Sequence, residues 1–306
     1  MGDEEQAPTE QYIPVGSTRL FADVRGRPGA PALLYLHGGP GMGSHEFMHW
    51  QGKLLSEDLR LIGLDQRGVL RSDPVAESDR LDEQLLVDDC EAVREHLGLE
   101  TWSVLGHSFG GRTALRYAVQ HPERLRCAIF ENPAWDIEST ERFRLPIMAD
   151  MLDELSRPDQ ARLARELAVR PDLCAGGYPA DEMNTIMAAL GTRWFLADPA
   201  NGSRMREAAP DLPREMSARS AEHNRRVKAQ PEVAVPLLPL LAALTMPALL
   251  ITGRADIVTT PDQIEQFRQQ VPRGQVITFD RSGHFAQLEQ PDEYAHLVTN
   301  FVRQAG

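Results

Sequence analysis

The sequence predicts an α/β fold in which a mostly parallel central sheet is flanked by helices and carries one inserted helical segment. Three observations support this prediction. Short apolar segments alternate with longer amphipathic ones, the alternation stops after residue 133, and strand-like sequence resumes near residue 248. The length of 306 residues accommodates one large domain with an insertion and is enough to bury a sizeable core.

Seven segments have the composition of strands that are buried on both faces. Each is short, rich in Val, Ile and Leu, and bounded by Gly, Pro or Asp. They cover residues 20–24, 32–36, 59–64, 102–105, 126–130, 248–252 and 275–279. Because such strands expose no polar face, we expect helices to cover both sides of the sheet.

Helical periodicity fills most of the intervals between these strands. Core helices are predicted at 81–97, 112–120 and 261–271, the last two stopping at the prolines 122 and 272. Three further helices, at 143–155, 160–169 and 182–196, follow one another without a strand. We therefore predict a core formed by residues 1–133 and 236–306 and a helical cap formed by residues 134–235. The first ten residues are expected to be disordered.

Composition excludes several classes of protein. The chain has 45 acidic and 32 basic residues and a net charge of −13, which argues against a nucleic-acid partner. Three cysteines without metal-type spacing predict reduced thiols and a cytoplasmic location, and no secretory signal is visible at the N-terminus. The uncharged stretch 233–253 contains three prolines, so we expect a loop, a short helix and a buried strand there, with no membrane span.

The segment Gly106-His107-Ser108-Phe109-Gly110 lies between a predicted strand and a predicted helix. In this G-x-S-x-G spacing the serine occupies a sharp turn, and the small flanking residues let neighbouring backbones approach. Composition alone would produce ~0.07 such matches in a chain of this length, so the pentad needs its strand–turn–helix context to be informative. Ser108 is therefore a candidate nucleophile.

A nucleophilic serine needs a base and an acid that orients the base, and for this turn they follow in the order acid, then histidine. Asp256 and His284 each follow a predicted strand, in that order. The carboxyl ends of parallel strands meet at one edge of a sheet, which would bring both residues near Ser108. Glu131 and Asp136 follow another strand and remain alternative acids.

The loop His37-Gly38-Gly39-Pro40-Gly41 ends the second predicted strand and is the most specific pattern in the chain, with ~3 × 10⁻⁴ matches expected from composition. Its backbone N–H groups are free of bulky side chains. Together with the N–H of Phe109, they could stabilise the oxyanion that forms when a serine attacks a carbonyl.

These motifs together resemble the α/β-hydrolase superfamily, and His-Gly-Gly-Pro-Gly is similar to its proline iminopeptidase-like branch. The Asp65-Gln66-Arg67-Gly68 segment and the closing sequence from Ser282 to Pro291 match that branch as well. The resemblance implies an α/β-hydrolase fold with an inserted cap, a Ser108–Asp256–His284 triad and oxyanion donors at Gly39 and Phe109. It implies no cofactor.

The sequence departs from that branch in places that concern specificity. Its relatives carry cap glutamates that bind the free α-amino group of the substrate, one of them after a tryptophan; here Phe195 follows Trp194. The sequence around Glu222 faintly resembles the second such site, so Glu222 is a candidate amine ligand. The turn around Ser108, with His107 and Phe109, has the form common in esterases and in α/β-hydrolases generally.

The motifs and the resemblance together predict a cofactor-free serine hydrolase that removes a small N-terminal aminoacyl group from a peptide or from a non-peptide amine. A carboxylic ester or lactone hydrolase with the same triad is the alternative, and a non-catalytic binding protein on the same fold is a third possibility. The segment from His45 to His49 also fits the H-E-x-x-H pattern of zinc peptidases, but no clear third ligand follows. From the charge and the hydropathy of the chain we expect neither a nucleic-acid nor a membrane partner. The sequence leaves the oligomeric state open.

Overall fold

The computed structural model describes residues 9–174, 177–209 and 211–305. One eight-stranded sheet lies at its centre. The strands are β1 (Thr9–Val15), β2 (Thr18–Arg25), β3 (Ala32–Leu36), β4 (Arg60–Asp65), β5 (Trp102–His107), β6 (Leu125–Glu131), β7 (Ala248–Gly253) and β8 (Gly274–Phe279). Their order across the sheet is β1-β2-β4-β3-β5-β6-β7-β8. β1 and β2, and β2 and β4, pair antiparallel, and all other neighbours pair parallel.

The α-helices of the described chain fall into two groups. Those that accompany the sheet are α1 (His45–Ser56), α2 (Glu83–His96), α3 (Gly110–Gln120), α9 (Pro261–Gln270), α10 (Ala286–Glu289) and α11 (Pro291–Gln304). Those between β6 and β7 are α4 (Ile137–Glu154), α5 (Pro158–Ala168), α6 (Ala180–Leu190), α7 (Gly202–Glu207) and α8 (Arg214–Lys228). Short 3₁₀ turns join several of them.

The predicted mostly parallel sheet with an inserted helical segment is confirmed. All seven predicted strands are present, and each helix predicted from periodicity overlaps an observed one. The expectation of disorder was wrong for Thr9 and Glu10, which begin β1; residues 1–8 lie outside the described part. β1 is an edge strand with a mixed exposure pattern, and it contains Pro14, which a central strand would not tolerate.

Helices cover both faces of the sheet, as strands buried on both sides require. One apolar cluster joins one face of the sheet to residues of α2, α3 and α9, and another joins the opposite face to residues of α1 and α11. A third cluster lies mainly among α4, α5 and α6 and includes Phe109 and Val258 from the loops at the edge of the sheet. The inserted helices therefore pack directly over the carboxyl ends of the strands.

Both ends of the inserted segment are attached to α3 through Arg112, whose side chain is fully buried. Its guanidinium donates to the carbonyl oxygens of Trp135, Glu232 and Val235 at 3.0, 3.2 and 3.3 Å. It also pairs with Glu83 at 2.6 Å. These contacts lie next to both predicted boundaries, 133/134 and 235/236; the division into core and cap stays a prediction.

Within the described residues, no helix has the length and apolar character that crossing a bilayer requires. The uncharged stretch 233–253 forms part of a 3₁₀ turn, a second 3₁₀ turn and the buried strand β7, as predicted. All three cysteines are buried free thiols. The cytoplasmic location expected from them stays a prediction.

Candidate active site

Ser108 occupies the sharp turn between β5 and α3 with a backbone φ of +52°, a value that non-glycine residues rarely adopt. The turn is possible because Gly106 and Gly110 come close to other main-chain atoms. A Cβ on Gly110 would lie 2.2 Å from the carbonyl oxygen of Leu36, and one on Gly106 would lie 2.5 Å from that of Gly110. The G-x-S-x-G spacing thus places the Ser108 hydroxyl at the edge of the sheet, on a backbone that is strained at Ser108.

His284 and Asp256 are joined by a hydrogen bond of 2.8 Å between Nδ1 and Oδ1. The other carboxylate oxygen of Asp256 accepts from the N–H of Thr259 at 2.8 Å, which fixes its orientation. Both side chains are buried. Burial lowers the pKa of His284, and the neighbouring Asp256 carboxylate partly opposes that effect. A neutral imidazole with Nδ1 engaged leaves Nε2 to accept a proton.

The two alternative acids make other contacts. Asp136 is the N-cap of α4, where its side chain accepts from the N–H of Ser139 at 3.0 Å. Glu131 is fully buried and accepts from the Tyr294 hydroxyl at 3.0 Å. It also lies 3.3 Å from Nδ1 of His107, at an angle too poor for a hydrogen bond. Neither carboxylate forms a hydrogen bond with His284 in the described structure.

The loop that carries His284 is held by the residues that follow it. Glu289 accepts from the N–H of Gly283 at 2.7 Å, and the side-chain oxygen of Gln290 accepts from the Ser282 hydroxyl at 3.0 Å. The N–H of His284 donates to the carbonyl oxygen of Phe195 in the inserted segment at 2.7 Å. The residues of the closing sequence motif therefore form local hydrogen bonds that hold the candidate base in place.

Asn132 is a site residue that the sequence analysis missed. It follows β6 with φ +42°, and its Nδ2 donates to the carbonyl oxygens of Gly283 and His284 at 3.2 and 2.9 Å. Its Oδ1 accepts from the N–H of Gly253, at the end of the strand that precedes Asp256, at 3.0 Å. One side chain thus ties the loop of the histidine to that of the acid. A lone Asn after a strand carries no sequence signal of this role.

The glycine loop lies beside Ser108, since a Cβ on Gly38 would come within 2.8 Å of the Ser108 Cβ. The N–H groups of Gly39 and Phe109 donate no hydrogen bond to any residue that the structure describes. Phe109 also immediately precedes the first turn of α3, where the helix dipole favours negative charge. Asp65 supports the loop by accepting from the Ser44 N–H and hydroxyl at 2.8 and 2.9 Å.

A cavity of about 810 Å³ lies between the sheet edge and the inserted helices and contains both Ser108 and His284. Its volume is in the range of small-molecule sites. Its lining is largely apolar, with six charged side chains. The apolar residues include Ile137, Met187, Trp194, Phe195, Val258 and Phe285; the charged ones are Glu46, Glu141, Arg144, Asp181, Arg225 and Lys228.

Among the cavity carboxylates, Glu46 has no ion pair or hydrogen bond with another described residue. Burial raises its pKa to about 7. Glu141, in contrast, is paired with Arg144 at 2.6 Å, and Asp181 is exposed. Glu46 lies in the first turn of α1 and is a half-buried carboxylate of this cavity without a partner among the described residues.

The structure contradicts the assignment of Glu222 as a substrate ligand. Its side chain is partly exposed on α8, pairs with Arg225 at 2.6 Å, and lines a separate groove formed with Gly68 and Val75. It is absent from the lining of the cavity that contains Ser108. The physical reason is helical geometry: Ala221 and Asn224 on the same helix face the cavity, and Glu222 projects from another side.

The H-E-x-x-H residues His45, Glu46 and His49 lie on α1. No group of three or more His, Cys, Asp or Glu side chains in the described residues could hold a metal ion. The functional interest of the motif is Glu46, which faces the cavity.

Comparison with known proteins agrees with this geometry. Residues 31–169 match the family model described as the alpha/beta hydrolase fold. A solved structure of proline iminopeptidase from Mycobacterium smegmatis is 24% identical, covers 97% of this chain and 98% of its own, and superposes with a TM-score of 0.73. The protein therefore has the α/β-hydrolase fold.

Its resemblance to proline iminopeptidases, predicted from the sequence motifs, is also confirmed. The proline iminopeptidase of Heyndrickxia coagulans is 24% identical over 96% of this chain and 98% of the relative. That of Neisseria gonorrhoeae is 37% identical over 108 residues, which are 35% of this chain and 34% of the relative. The higher identity is thus confined to about a third of either protein.

Proposed function

We propose that this protein is a serine hydrolase that removes a small N-terminal aminoacyl group from a short peptide or a small-molecule amine. In this mechanism Ser108 Oγ attacks the acyl carbonyl while Nε2 of His284 takes its proton. Asp256 holds the imidazole by its 2.8 Å hydrogen bond and stabilises the imidazolium. His284 then protonates the leaving amine, and water hydrolyses the acyl-enzyme.

The oxyanion of the tetrahedral intermediate would lie against the N–H groups of Gly39 and Phe109. Both groups lack another acceptor in the described structure, so neither must give up a bond when the charge develops. The first turn of α3 adds the positive end of its dipole. Donors of this kind are typically worth ~3 kcal/mol each in the transition state.

The position of Glu46 is the observation that favours an aminoacyl substrate over a simple ester. It lies in the cavity with Ser108 and has no partner among the described residues, so a substrate ammonium could supply its counter-ion. Pairing with the ammonium would offset the cost of burying the ionised carboxylate, which is the cause of its raised pKa.

The test compares an alanyl or prolyl p-nitroanilide with its N-acetyl derivative in the wild type, in Glu46→Gln and in the control Glu222→Gln. We expect the free-amine substrate to be preferred, and E46Q to raise its KM by about tenfold or more while E222Q leaves it unchanged. Hydrolysis restricted to acyl esters without an α-amine would instead establish the ester or lactone hydrolase.

Labelling with a fluorophosphonate tests the nucleophile separately from the substrate. The wild type and the control Ser56→Ala should be labelled, and Ser108→Ala should not. No labelling of the wild type would support a non-catalytic binding protein. Loss of hydrolysis with a chelator, together with indifference to the fluorophosphonate, would support a metallopeptidase.

A further inference from the structure

The wall that the inserted helices contribute to the catalytic cavity contains a compact cluster of four polar side chains. Glu141 and Arg144 lie on α4, Tyr178 precedes α6, and Lys228 ends α8. Arg144 donates to both carboxylate oxygens of Glu141, at 2.7 and 2.6 Å, and the Tyr178 hydroxyl donates to one of them at 2.9 Å. The charge of Glu141 is therefore neutralised within the cluster.

Lys228 is a cation of this cluster that has no carboxylate partner among the described residues. Its ammonium lies 4.5 Å from the centroid of the Tyr178 ring, a cation–π contact, and it has no ion pair or hydrogen bond with a described residue. Because the charges of Arg144 and Glu141 cancel, the cluster has a net charge of +1 at the cavity wall. Burial lowers the pKa of Lys228 to about 8, so the side chain is mostly protonated at neutral pH.

A desolvated cation without a counter-ion is unfavourable in a folded protein, and the cost falls when an anion occupies the site. Lys228 lines the cavity together with Ser108, so an anion bound in the cavity could reach the ammonium. Lysine is also a rare residue in this chain, where Lys228 is one of only two lysines among 32 basic residues. A compact ammonium with three donors suits a carboxylate approached from any direction.

We infer that Lys228 binds a carboxylate of the substrate, the free C-terminus of a short peptide. This inference rests on the proposed function, since the peptide would place its N-terminal residue at Ser108 and its ammonium at Glu46. The size of the cavity, about 810 Å³, suits a dipeptide or tripeptide. The substrate class is then a zwitterionic di- or tripeptide with both termini free.

The kinetic test compares Ala-Ala with Ala-Ala amide, which differ only in the terminal charge. We expect the wild type to prefer the free acid by about tenfold or more in kcat/KM, and Lys228→Met to abolish that preference. Lys53→Met, which removes the only other lysine from an exposed site on α1, should retain it. Equal rates for the two peptides in the wild type would overturn the inference.

A binding measurement separates this inference from the proposed reaction. In Ser108→Ala, calorimetry should show the free acid binding at least about tenfold more tightly than the amide, and the double variant with Lys228→Met should bind both equally. Equal binding in S108A overturns the inference even if the enzyme is an aminopeptidase. Hydrolysis of neither peptide nor of alanyl anilides overturns the proposed function, whereas preferential binding of the free acid would still support the carboxylate site.

A third pair of ligands identifies the source of the carboxylate. In Ala-Glu amide the only carboxylate is on the side chain, and Ala-Gln amide is its isosteric control without a carboxylate. No discrimination between them in S108A, alongside discrimination between Ala-Ala and its amide, supports C-terminal recognition. Preference for Ala-Glu amide with no preference for a free C-terminus overturns the assignment to the C-terminus.

Discussion

The side-chain amide of Asn132 donates a hydrogen bond of 2.9 Å to the main-chain carbonyl oxygen of His284. The same side chain accepts from the N–H of Gly253, at the end of β7. Asn132 therefore couples the loop of the candidate base to the loop of the candidate acid without touching the reacting atoms. We regard it as a positioning residue.

Replacing Asn132 by Ala should lower kcat by about 10- to 100-fold with little change in KM, because small displacements of a base are costly while the cavity remains intact. Asn132→Asp keeps the acceptor for Gly253 but sets a carboxylate oxygen against the carbonyl of His284, so it should be impaired at least as strongly. Kinetics with circular-dichroism melts would check this. An unchanged kcat in a folded N132A protein would exclude the positioning role.

Asp256→Asn should lower kcat by about 10⁴-fold while leaving the fold intact, since the amide favours the wrong tautomer of His284. Glu131→Gln is the matched control, because it removes the charge of the other carboxylate near the histidine but keeps an acceptor for Tyr294. We expect a much smaller loss there. A larger loss in E131Q than in D256N, measured by steady-state kinetics, would assign the acid to Glu131.

Arg112→Met should destabilise the protein by about 3 kcal/mol, because it leaves Glu83 and three carbonyl groups at the base of the inserted segment without their buried donor. Arg116 pairs with the same carboxylate at 2.9 Å from a more exposed position. Arg116→Met should therefore cost less than about 1 kcal/mol. Urea unfolding of the two variants measures the difference, and similar losses would contradict it.

The pH dependence of kcat/KM should differ between two kinds of substrate. Hydrolysis of p-nitrophenyl acetate requires only neutral His284, so its rate should rise through a pKa below 6.5 and then stay level. Hydrolysis of an alanyl anilide also requires ionised Glu46, so its rate should keep rising through about pH 7. Glu46→Gln should remove the second rise. The same profile for both substrates in the wild type would rule out Glu46 as the amine ligand.

Glu46→Gln should also stabilise the free protein at neutral and alkaline pH. A carboxyl whose pKa is higher when folded than when unfolded is least destabilising below its unfolded value of 4.5, and it costs stability as pH rises through about 7. Because water still reaches the carboxylate, the gain in E46Q should be about 1–2 kcal/mol above pH 7 and should vanish below pH 4.5. Thermal melts across this range check the sign.

Much of the architecture was predictable from the sequence because it depends on local patterns. Buried strands and amphipathic helices have different periods, and the Ser108 turn needs glycines at fixed offsets. β1 was missed since an exposed edge strand with a proline lacks the continuous apolar run of its neighbours. Glu46 was noticed only as part of a metal motif, since nothing local indicates which helix face meets the cavity.

The sequence by itself determined the fold class, the position of Ser108 in its turn and the candidates for its partners. Only the tertiary structure decided that Asp256 meets His284, 28 residues away, and that Asn132 ties their loops together. It also decided that Glu46 and Lys228 line the cavity, whereas Glu222 lines a separate groove. Turn and strand preferences are set by neighbours in the chain. The direction of a side chain at a strand end or helix face depends on loops and helices from distant parts of the sequence.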